Sequence, residues 1–229
     1  MIYFFIGLGI LLLGLVTLII IKIKGLKEIE KKLNITEEKI SEIKSYAKEN
    51  NVPIMMDDGI DFLTSLIRQR KVKNILEIGT AIGYSAIMMA LVDENIKITS
   101  IEKDNKRYFE AIKNVKKFNL EDRITLLYND ALEVKLKDKY DLIFIDAAKS
   151  KNQDIFEHFA RNLSDKGAVV TDNLSFHGFV SKETNEIKNR NIRGLVRKIK
   201  NYISFLNQND DYKTVFYEIG DGISVTTKK

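Results

Sequence analysis

The sequence predicts an α/β domain with a mostly parallel, doubly wound sheet, preceded by one transmembrane helix. Three observations predict this. A long uncharged apolar stretch opens the chain, short runs rich in Ile, Leu and Val then alternate with helical segments, and glycines and acidic residues follow the ends of those runs. The 229 residues, 45% apolar and 30% charged, suffice for one globular domain with an appendage.

The N-terminal stretch has the pattern of a membrane anchor. No charged residue occurs from Met1 to Ile21, and a helix of that length crosses a hydrocarbon layer of roughly 30 Å. Lys22, Lys24 and Lys27 follow, and the positive-inside tendency then places the rest of the chain in the cytoplasm. A cleaved signal peptide is a weaker alternative, because no basic residue precedes the apolar run and no small-x-small cleavage site follows it. A buried soluble helix is the other alternative. We expect a single span at residues 1–22.

Polar segments with helix-start signals come next. Residues 23–35 have the composition of a charged linker. Thr36 is placed to cap a polar helix, and Asp57 or Asp58 to open a second helix that ends near Arg70.

Beyond these helices, strands and helices alternate, as in a parallel doubly wound sheet. Together with the two helices they form one domain, residues 36–229. The pattern predicts strands at 73–78, 96–101, 123–128, 140–145 and 167–171, separated by helices near 83–92, 104–118 and 150–162. Ligands of such sheets bind at the carboxyl ends of the strands.

Composition excludes some chemistry. With no cysteine, the chain has no disulfide, no thiolate zinc site and no cysteine nucleophile. A net charge of +5 permits an RNA or an anionic membrane as partner, but lysine-rich surfaces also serve solubility alone.

The most informative stretch is residues 75–86, Ile-Leu-Glu-Ile-Gly-Thr-Ala-Ile-Gly-Tyr-Ser-Ala. It places Glu77, Gly79 and Gly83 in a tight turn between a strand and a helix, where glycine lets a ligand approach the backbone. The turn lacks the third glycine of a dinucleotide fingerprint and the Lys-Ser/Thr pair of a triphosphate loop. The next strand ends in Glu102, 102 − 83 = 19 positions on, where an acidic residue would meet ribose hydroxyls. This layout indicates S-adenosylmethionine; a plain turn and a strand-end charge are the alternative.

Two later strands end in oxygen-bearing side chains. The fourth runs into Asp146, with Lys149 three residues on, and the fifth runs into Asp172 and Asn173. Such hard oxygen ligands suit Mg²⁺. Lys149 is close enough to act as general base on a metal-bound hydroxyl. The alternative is that each aspartate caps the following helix and that Lys149 is a surface residue.

With these motifs in place, a family resemblance becomes specific. The glycine-turn motif, Ile-Asp-Ala-Ala-Lys and Thr-Asp-Asn-Leu together resemble the metal-dependent O-methyltransferases related to catechol O-methyltransferase. Within that family, three further segments look most like the bacterial tRNA 5-hydroxyuridine methyltransferases: Val52-Pro53-Ile54-Met55, Asn189-Arg190-Asn191-Ile192-Arg193 and Gly220-Asp221-Gly222. The resemblance covers residues 36–229 and implies a Rossmann-like class I methyltransferase fold, with a mostly parallel seven-stranded sheet and helices on both faces.

The resemblance also implies residue roles. The catalytic residues would be Lys149 and Asp146, and Mg²⁺ would be held by Asp146, Asp172 and Asn173. Besides Glu77, Gly79 and Gly83 of the glycine turn, S-adenosylmethionine would contact residues that the resemblance adds: Met55, Ser85, Glu102, Asp130, Ala131 and Asp146. The predicted membrane span is a departure from the soluble relatives.

The chemistry of the site leaves the substrate open. Two neighbouring oxygens can chelate one Mg²⁺, and both 5-hydroxyuridine and catechols carry such a pair. We expect a tRNA 5-hydroxyuridine methyltransferase, with a small catechol or lipid-like phenol as the alternative substrate. A noncatalytic membrane-tethered nucleotide sensor is the alternative from another class, but it has no need of Asp146, Asp172, Asn173 and Lys149 together.

A basic stripe supports the tRNA interpretation. On the helix predicted at 187–206, basic residues form an arc beside the apolar face, namely Arg190, Arg193, Arg197 and Lys200. The alternative is a solvated or membrane-facing basic face. Of the two histidines, we expect His158 to be an ordinary helix residue and His177 to be the one with a chance of touching substrate. The expected partners are therefore tRNA, a membrane through the N-terminal helix, and a second copy of the chain in a homodimer.

Overall fold

The structure is a computed structural model that describes residues 2–183 and 186–229, with the side chains of residues 2–21 and 29 left out. The chain divides into two units, one ending at Glu42 and one formed by Ile43–Lys229.

The first helix, α1, is Ile2–Glu49, and it includes residues 23–35, for which we predict a linker. Thr36 begins no helix, because its hydroxyl donates to the carbonyl of Lys32 at 2.9 Å within α1. The prediction of a cap there is wrong: residues 26–49 contain no Gly or Pro and are mostly good helix formers, so nothing interrupts the helix.

The membrane anchor predicted at residues 1–22 falls on side chains outside the described set, apart from Lys22. Among the described side chains, no helix is long and apolar enough to cross a bilayer.

The second unit has the predicted α/β architecture with a seven-stranded sheet. Its strands are β1 Asn74–Ile78, β2 Lys97–Glu102, β3 Ile124–Tyr128, β4 Tyr140–Ile145, β5 Leu163–Thr171, β6 Tyr212–Tyr217 and β7 Ile223–Lys228. Its further helices are α2 Asp57–Arg70, α3 Tyr84–Ala90, α4 Asn105–Lys117, α5 Asn152–Phe159 and α6 Arg190–Asn207. Short 3-10 turns occur at Ala131–Glu133, Lys149–Lys151 and Ala160–Asn162.

The sheet order is β3-β2-β1-β4-β5-β7-β6. The first five strands in that order pair in parallel, and β7 runs antiparallel to both β5 and β6. The order reverses between β1 and β4, which is the switch point where the loops separate and a ligand crevice forms in open α/β sheets.

The central strands are apolar because helices cover both faces of the sheet. In β1, Ile75, Leu76 and Ile78 are almost fully buried. On one face, α6 contributes Ile199 and Tyr202 to the main core cluster. The hydroxyls of Tyr202 and Thr171 lie 2.9 Å apart, so the buried phenol is satisfied. This packing fixes the end of β5, where the predicted metal ligands follow.

Candidate active site

A cleft of about 770 Å³ opens at the carboxyl ends of β1, β2, β4 and β5. It brings together most of the residues predicted for cofactor, metal and catalysis: Met55, Gly79, Glu102, Asp130, Ala131, Asp146, Lys149, Asp172 and Asn173. Glu77, Gly83 and Ser85, also predicted as cofactor contacts, are not among the residues that line it.

The glycine turn is fastened to both neighbouring strands. The Gly79 amide donates to the carbonyl of Ile101 at 3.0 Å, and the Asp146 amide donates to the carbonyl of Ile78 at 2.9 Å. Gly79 has a φ of 102°, and a Cβ there would lie 2.0 Å from the Asp146 carbonyl oxygen. The glycine is therefore required by the close approach of the β4 backbone, which brings Asp146 beside the turn.

Gly83 does not line the cleft, and its contact with S-adenosylmethionine stays a prediction. Its φ is 84°, and a Cβ there would lie 3.4 Å from the Cβ of Ala111 on α4. It precedes the first residue of α3. Gly83 thus shapes the entry to that helix behind the wall of the cleft.

Glu77 and Ser85 lie beneath the turn. The Glu77 side chain is fully buried, and it accepts hydrogen bonds from Ser85 Oγ at 2.5 Å and from Ser100 Oγ. Ser100 in turn is 2.5 Å from the Thr80 hydroxyl. Burial raises the pKa of Glu77 to about 7, against the lowering effect of the two serine hydroxyls. These residues connect β1, β2 and α3 under the site.

The buried Glu77 carboxyl predicts a pH-dependent stability. Its pKa is higher in the folded chain than the ordinary value of 4.5, so the unfolded chain loses the proton first as pH rises. The protonated Glu77 carboxyl contributes up to about 3 kcal/mol to the free energy of unfolding. This contribution is present in full below about pH 4.5 and is lost as pH rises through about 7. We expect Glu77→Gln to lack this loss of stability. The melting temperature of the variant minus that of the wild type should therefore increase between pH 5 and 8. The control is the exposed Glu94→Gln; parallel profiles for wild type and Glu77→Gln would contradict the assignment.

Glu102 is held as an acceptor at the edge of the cleft. Its Oε2 accepts from the Ala81 amide at 2.8 Å, and its Oε1 accepts from the amides of Lys103 and Asp104 at 2.9 and 2.7 Å. Three backbone donors orient the carboxylate, and an ionised carboxylate has capacity for further donors. This geometry suits a ligand that offers hydroxyl groups.

Asp130 is fixed in a similar way. Its Oδ1 accepts from the Leu132 amide at 3.1 Å, which caps the short turn that begins at Ala131. That backbone hydrogen bond, with a lesser effect of Lys103, lowers the pKa of Asp130. The carboxylate therefore presents an anionic acceptor beside Ala131.

The predicted metal ligands meet where β4 and β5 end. Asp172 is buried, and Asn173 Nδ2 donates to Asp146 Oδ1 at 2.7 Å. Burial raises the pKa of Asp146. Burial and then the Asp146 charge raise the pKa of Asp172 to about 7. Two carboxylates that repel one another, beside an amide, form a donor set whose repulsion a hard divalent cation would relieve.

No group of three or more His, Cys, Asp and Glu side chains in the described residues could hold a metal ion. Asn173 is not one of these residue types, so the site at the ends of β4 and β5 is of a different kind. The donor set at this site consists of two carboxylates and one amide. It fits Mg²⁺ in donor chemistry, because all three side chains offer hard oxygen atoms.

Lys149 lines the same cleft. Its Nζ lies 5.7 Å from the centroid of the Phe176 ring, and its charge acts to lower the pKa of Asp146. The predicted general base is thus beside the predicted metal ligands.

The basic stripe of α6 is only partly available for binding. Arg193 Nη1 donates to the carbonyl of Ile187 at 3.2 Å, and Lys200 Nζ donates to the carbonyl of Lys182 at 3.0 Å. These two residues hold the preceding segment to the helix. Arg190 and Arg197 are exposed, and they remain the candidates for phosphate contact.

Asp221 was not predicted as a site residue, although it lines the cleft together with His177. It lies between β6 and β7, two strands whose positions the sequence pattern does not predict. The Gly-Asp-Gly motif was the available signal. His158 is a structural residue as expected, since its Nε2 lies 2.8 Å from the carbonyl of Val134.

The fold and the cleft define a Rossmann-like methyltransferase. The O-methyltransferase family matches residues 30–229, so the chain belongs to that family and is a S-adenosylmethionine-dependent O-methyltransferase.

Individual relatives agree with the family. The caffeoyl-CoA O-methyltransferase of Populus kitakamiensis is 27% identical over 190 residues, which cover 80% of this chain and 80% of that protein. A crystal structure of a Staphylococcus aureus protein assigned as a caffeoyl-CoA O-methyltransferase has a TM-score of 0.79 and 37% identity, over 83% of this chain and 92% of that one. The O-methyltransferase of Bacillus cereus in complex with SAH shares the fold, with a TM-score of 0.73 and 24% identity, over 84% and 91%.

Proposed function

We propose that the enzyme transfers a methyl group to one of two adjacent oxygens with the help of Mg²⁺, and that its substrate is 5-hydroxyuridine in the tRNA anticodon, converted to 5-methoxyuridine. The observation that supports metal-assisted methyl transfer is the meeting of Asp146, Asp172 and Asn173 in the cleft that Glu102 and Lys149 also line.

The methyl donor would occupy the side of the cleft formed by β1, β2 and β3. Glu102, oriented by three backbone amides, would accept hydrogen bonds from the ribose hydroxyls. Asp130 and Ala131 would contact the adenine, and Met55 would close the site from the segment before α2. This arrangement leaves the sulfonium end toward Asp146.

The acceptor would occupy the side formed by β4 and β5. Asp146, Asp172 and Asn173 would hold Mg²⁺, which would supply a positive charge that lowers the pKa of a substrate hydroxyl. Lys149 Nζ would take the hydroxyl proton. The oxygen then forms a bond to the methyl carbon while the carbon–sulfur bond breaks, and S-adenosylhomocysteine leaves. Positioning by these side chains supplies much of the rate.

The preference for tRNA is supported by Arg190 and Arg197, the two exposed basic residues of the stripe, and by the net charge of +5. We expect Arg197→Glu to raise the KM for tRNA, leave kcat at saturation unchanged, and reduce the salt dependence of binding by about one charge. Lys198→Glu, the same charge change on an exposed residue about 100° around the helix, is the matched control. An equal effect of both variants would argue against contact at this stripe.

The substrate is tested by mass spectrometry of tRNA nucleosides from cells with and without the gene. Loss of 5-methoxyuridine with accumulation of 5-hydroxyuridine is the expected result. Unchanged 5-methoxyuridine would move the assignment to a small phenol. That second candidate is favoured by relatives named for caffeoyl-CoA and flavonoid substrates.

We also infer that residues 1–22 anchor the enzyme in a membrane, with the methyltransferase domain in the cytoplasm, and that the enzyme is a homodimer. The uncharged stretch from Met1 to Ile21 and the lysines after it support the anchor. Release of the full-length protein from membranes by alkaline carbonate would argue against the anchor, and a monomer mass in light scattering would argue against the dimer.

A further inference from the structure

One buried acceptor in the cleft is not used by the proposed chemistry. Asp221 lines the cleft, and its side chain is only 7% exposed. Its Oδ2 is buried and has no hydrogen-bond partner in the part of the chain that the structure describes. A buried carboxylate oxygen without a donor is costly, so an occupant of the cleft that supplied one would gain affinity.

The position of Asp221 is fixed by its backbone. Gly222 has a φ of 86°, and a Cβ there would lie 2.5 Å from Ser175 Oγ. The Ser175 amide donates to the Asp221 carbonyl at 2.7 Å, and the Gly220 amide donates to Asp58 Oδ2 at 3.0 Å. The turn is thus held from both sides, and the side chain is presented by a rigid frame.

His177 satisfies only the other oxygen. The His177 backbone amide donates to Asp221 Oδ1, while the ring Nδ1 is 3.8 Å from Oδ2, beyond hydrogen-bond distance. The imidazole is 73% exposed. Oδ2 therefore receives no hydrogen bond from the described residues.

Asp221 is also close to the place where the acceptor oxygens would be held. Its charge is one of those that raise the pKa of Asp172. The antiparallel pairing of β5 with β7, in which Thr171 lies opposite Ser224, brings the turn before β7 to the end of β5. A substrate chelated at Asp172 and Asn173 would have its neighbouring ring atoms toward this turn.

We propose that Asp221 Oδ2 accepts the N3–H of a 5-hydroxyuracil ring and thereby selects this base over a catechol. The inference rests on the proposed function, because O4 and O5 must be the oxygens held at Asp146, Asp172 and Asn173. In that ring, N3–H is the next group beyond the carbon that bears O4. A catechol has a C–H at the equivalent position and leaves the carboxylate unpaired, which is the situation in which polar sites discriminate strongly.

The test uses the full-length enzyme and two anticodon stem-loop RNAs, one with 5-hydroxyuridine and one with N3-methyl-5-hydroxyuridine. We expect the wild type to lose about 10- to 100-fold in kcat/KM on the methylated base. In Asp221→Asn, the amide oxygen can keep the His177 bond and turn its NH₂ toward the substrate. This variant should lose a similar factor on the first RNA and lose little more on the second.

The outcomes separate the two proposals. If the wild type methylates both RNAs equally well, Asp221 does not bind N3–H, although the proposed function stands. The same conclusion follows if N3-methylation and Asp221→Asn reduce kcat/KM by independent factors that multiply. If the wild type methylates neither RNA but methylates catechol, the tRNA assignment fails and this inference fails with it. His177→Ala should keep the preference for the unmethylated base; loss of that preference would assign the discrimination to the imidazole.

Discussion

Replacing Asp172 by alanine should abolish methyl transfer, with kcat lower by at least about 1,000-fold, while S-adenosylmethionine still binds. The reason is that the acceptor and the cofactor would bind on different sides of the cleft. Asp172 lies with Asn173 at the end of β5, on the acceptor side, whereas Glu102 and Asp130 lie at the ends of β2 and β3. Activity assays and calorimetric titration of the cofactor on the same preparation measure the two effects.

The fold should survive this change. Asp172 is buried and repelled by the Asp146 charge, so its removal takes away an unfavourable interaction, and the melting temperature should be equal or higher. Asp165→Ala, which removes an exposed carboxylate from the same strand, is the matched control and should keep full activity. An active Asp172→Ala enzyme would contradict the assignment of the acceptor side.

Replacing Gly79 by alanine should both destabilise the domain and remove cofactor binding. The new Cβ would lie 2.0 Å from the Asp146 carbonyl oxygen, at a φ of 102° that other residues rarely adopt. The turn must therefore move away from β4, at a cost of about 3 kcal/mol or more. Chemical denaturation measures the free energy of unfolding, and calorimetry measures the affinity for S-adenosylmethionine.

Gly194→Ala is the matched control, because a Cβ at this helical glycine meets nothing within 4 Å. It should raise stability by about 0.5–1 kcal/mol, since alanine is the better helix former. A folded Gly79→Ala protein with unchanged stability and affinity would refute the role of this turn.

The central strands and the acidic strand ends could be predicted because a parallel sheet imposes both. Buried strands such as β1 and β4 must be nearly continuous apolar runs, and polar residues reappear where they emerge into the crevice. Asp146 and Asp172 are such residues, so their meeting followed from the topology alone.

Other features depend on pairing that one sequence does not reveal. β7 carries Ser224 and Thr226 in buried positions, so it lacks the apolar pattern of a core strand. Asp221 reaches the cleft only because β7 pairs with β5. β5 also begins at Leu163, earlier than predicted, because the exposed residues Asp165 and Lys166 near its start interrupt the apolar pattern.

Side-chain roles were the least predictable part of the site. Glu77 and Ser85 have residue types suited to ligand contact, but they hydrogen-bond one another beneath the turn. On α6, helical periodicity placed Arg193 and Lys200 on the basic face correctly, but it could not show that both donate to backbone carbonyls.

The central claim, metal-dependent O-methylation of an adjacent pair of oxygens, is tested most directly by one assay. Full-length enzyme is mixed with S-adenosylmethionine and an anticodon stem-loop RNA that carries 5-hydroxyuridine, with Mg²⁺ or with excess EDTA, and the nucleosides are analysed by mass spectrometry. We expect 5-methoxyuridine with Mg²⁺, none with EDTA, and recovery when Mg²⁺ is restored. Equal formation of 5-methoxyuridine in excess EDTA would contradict it.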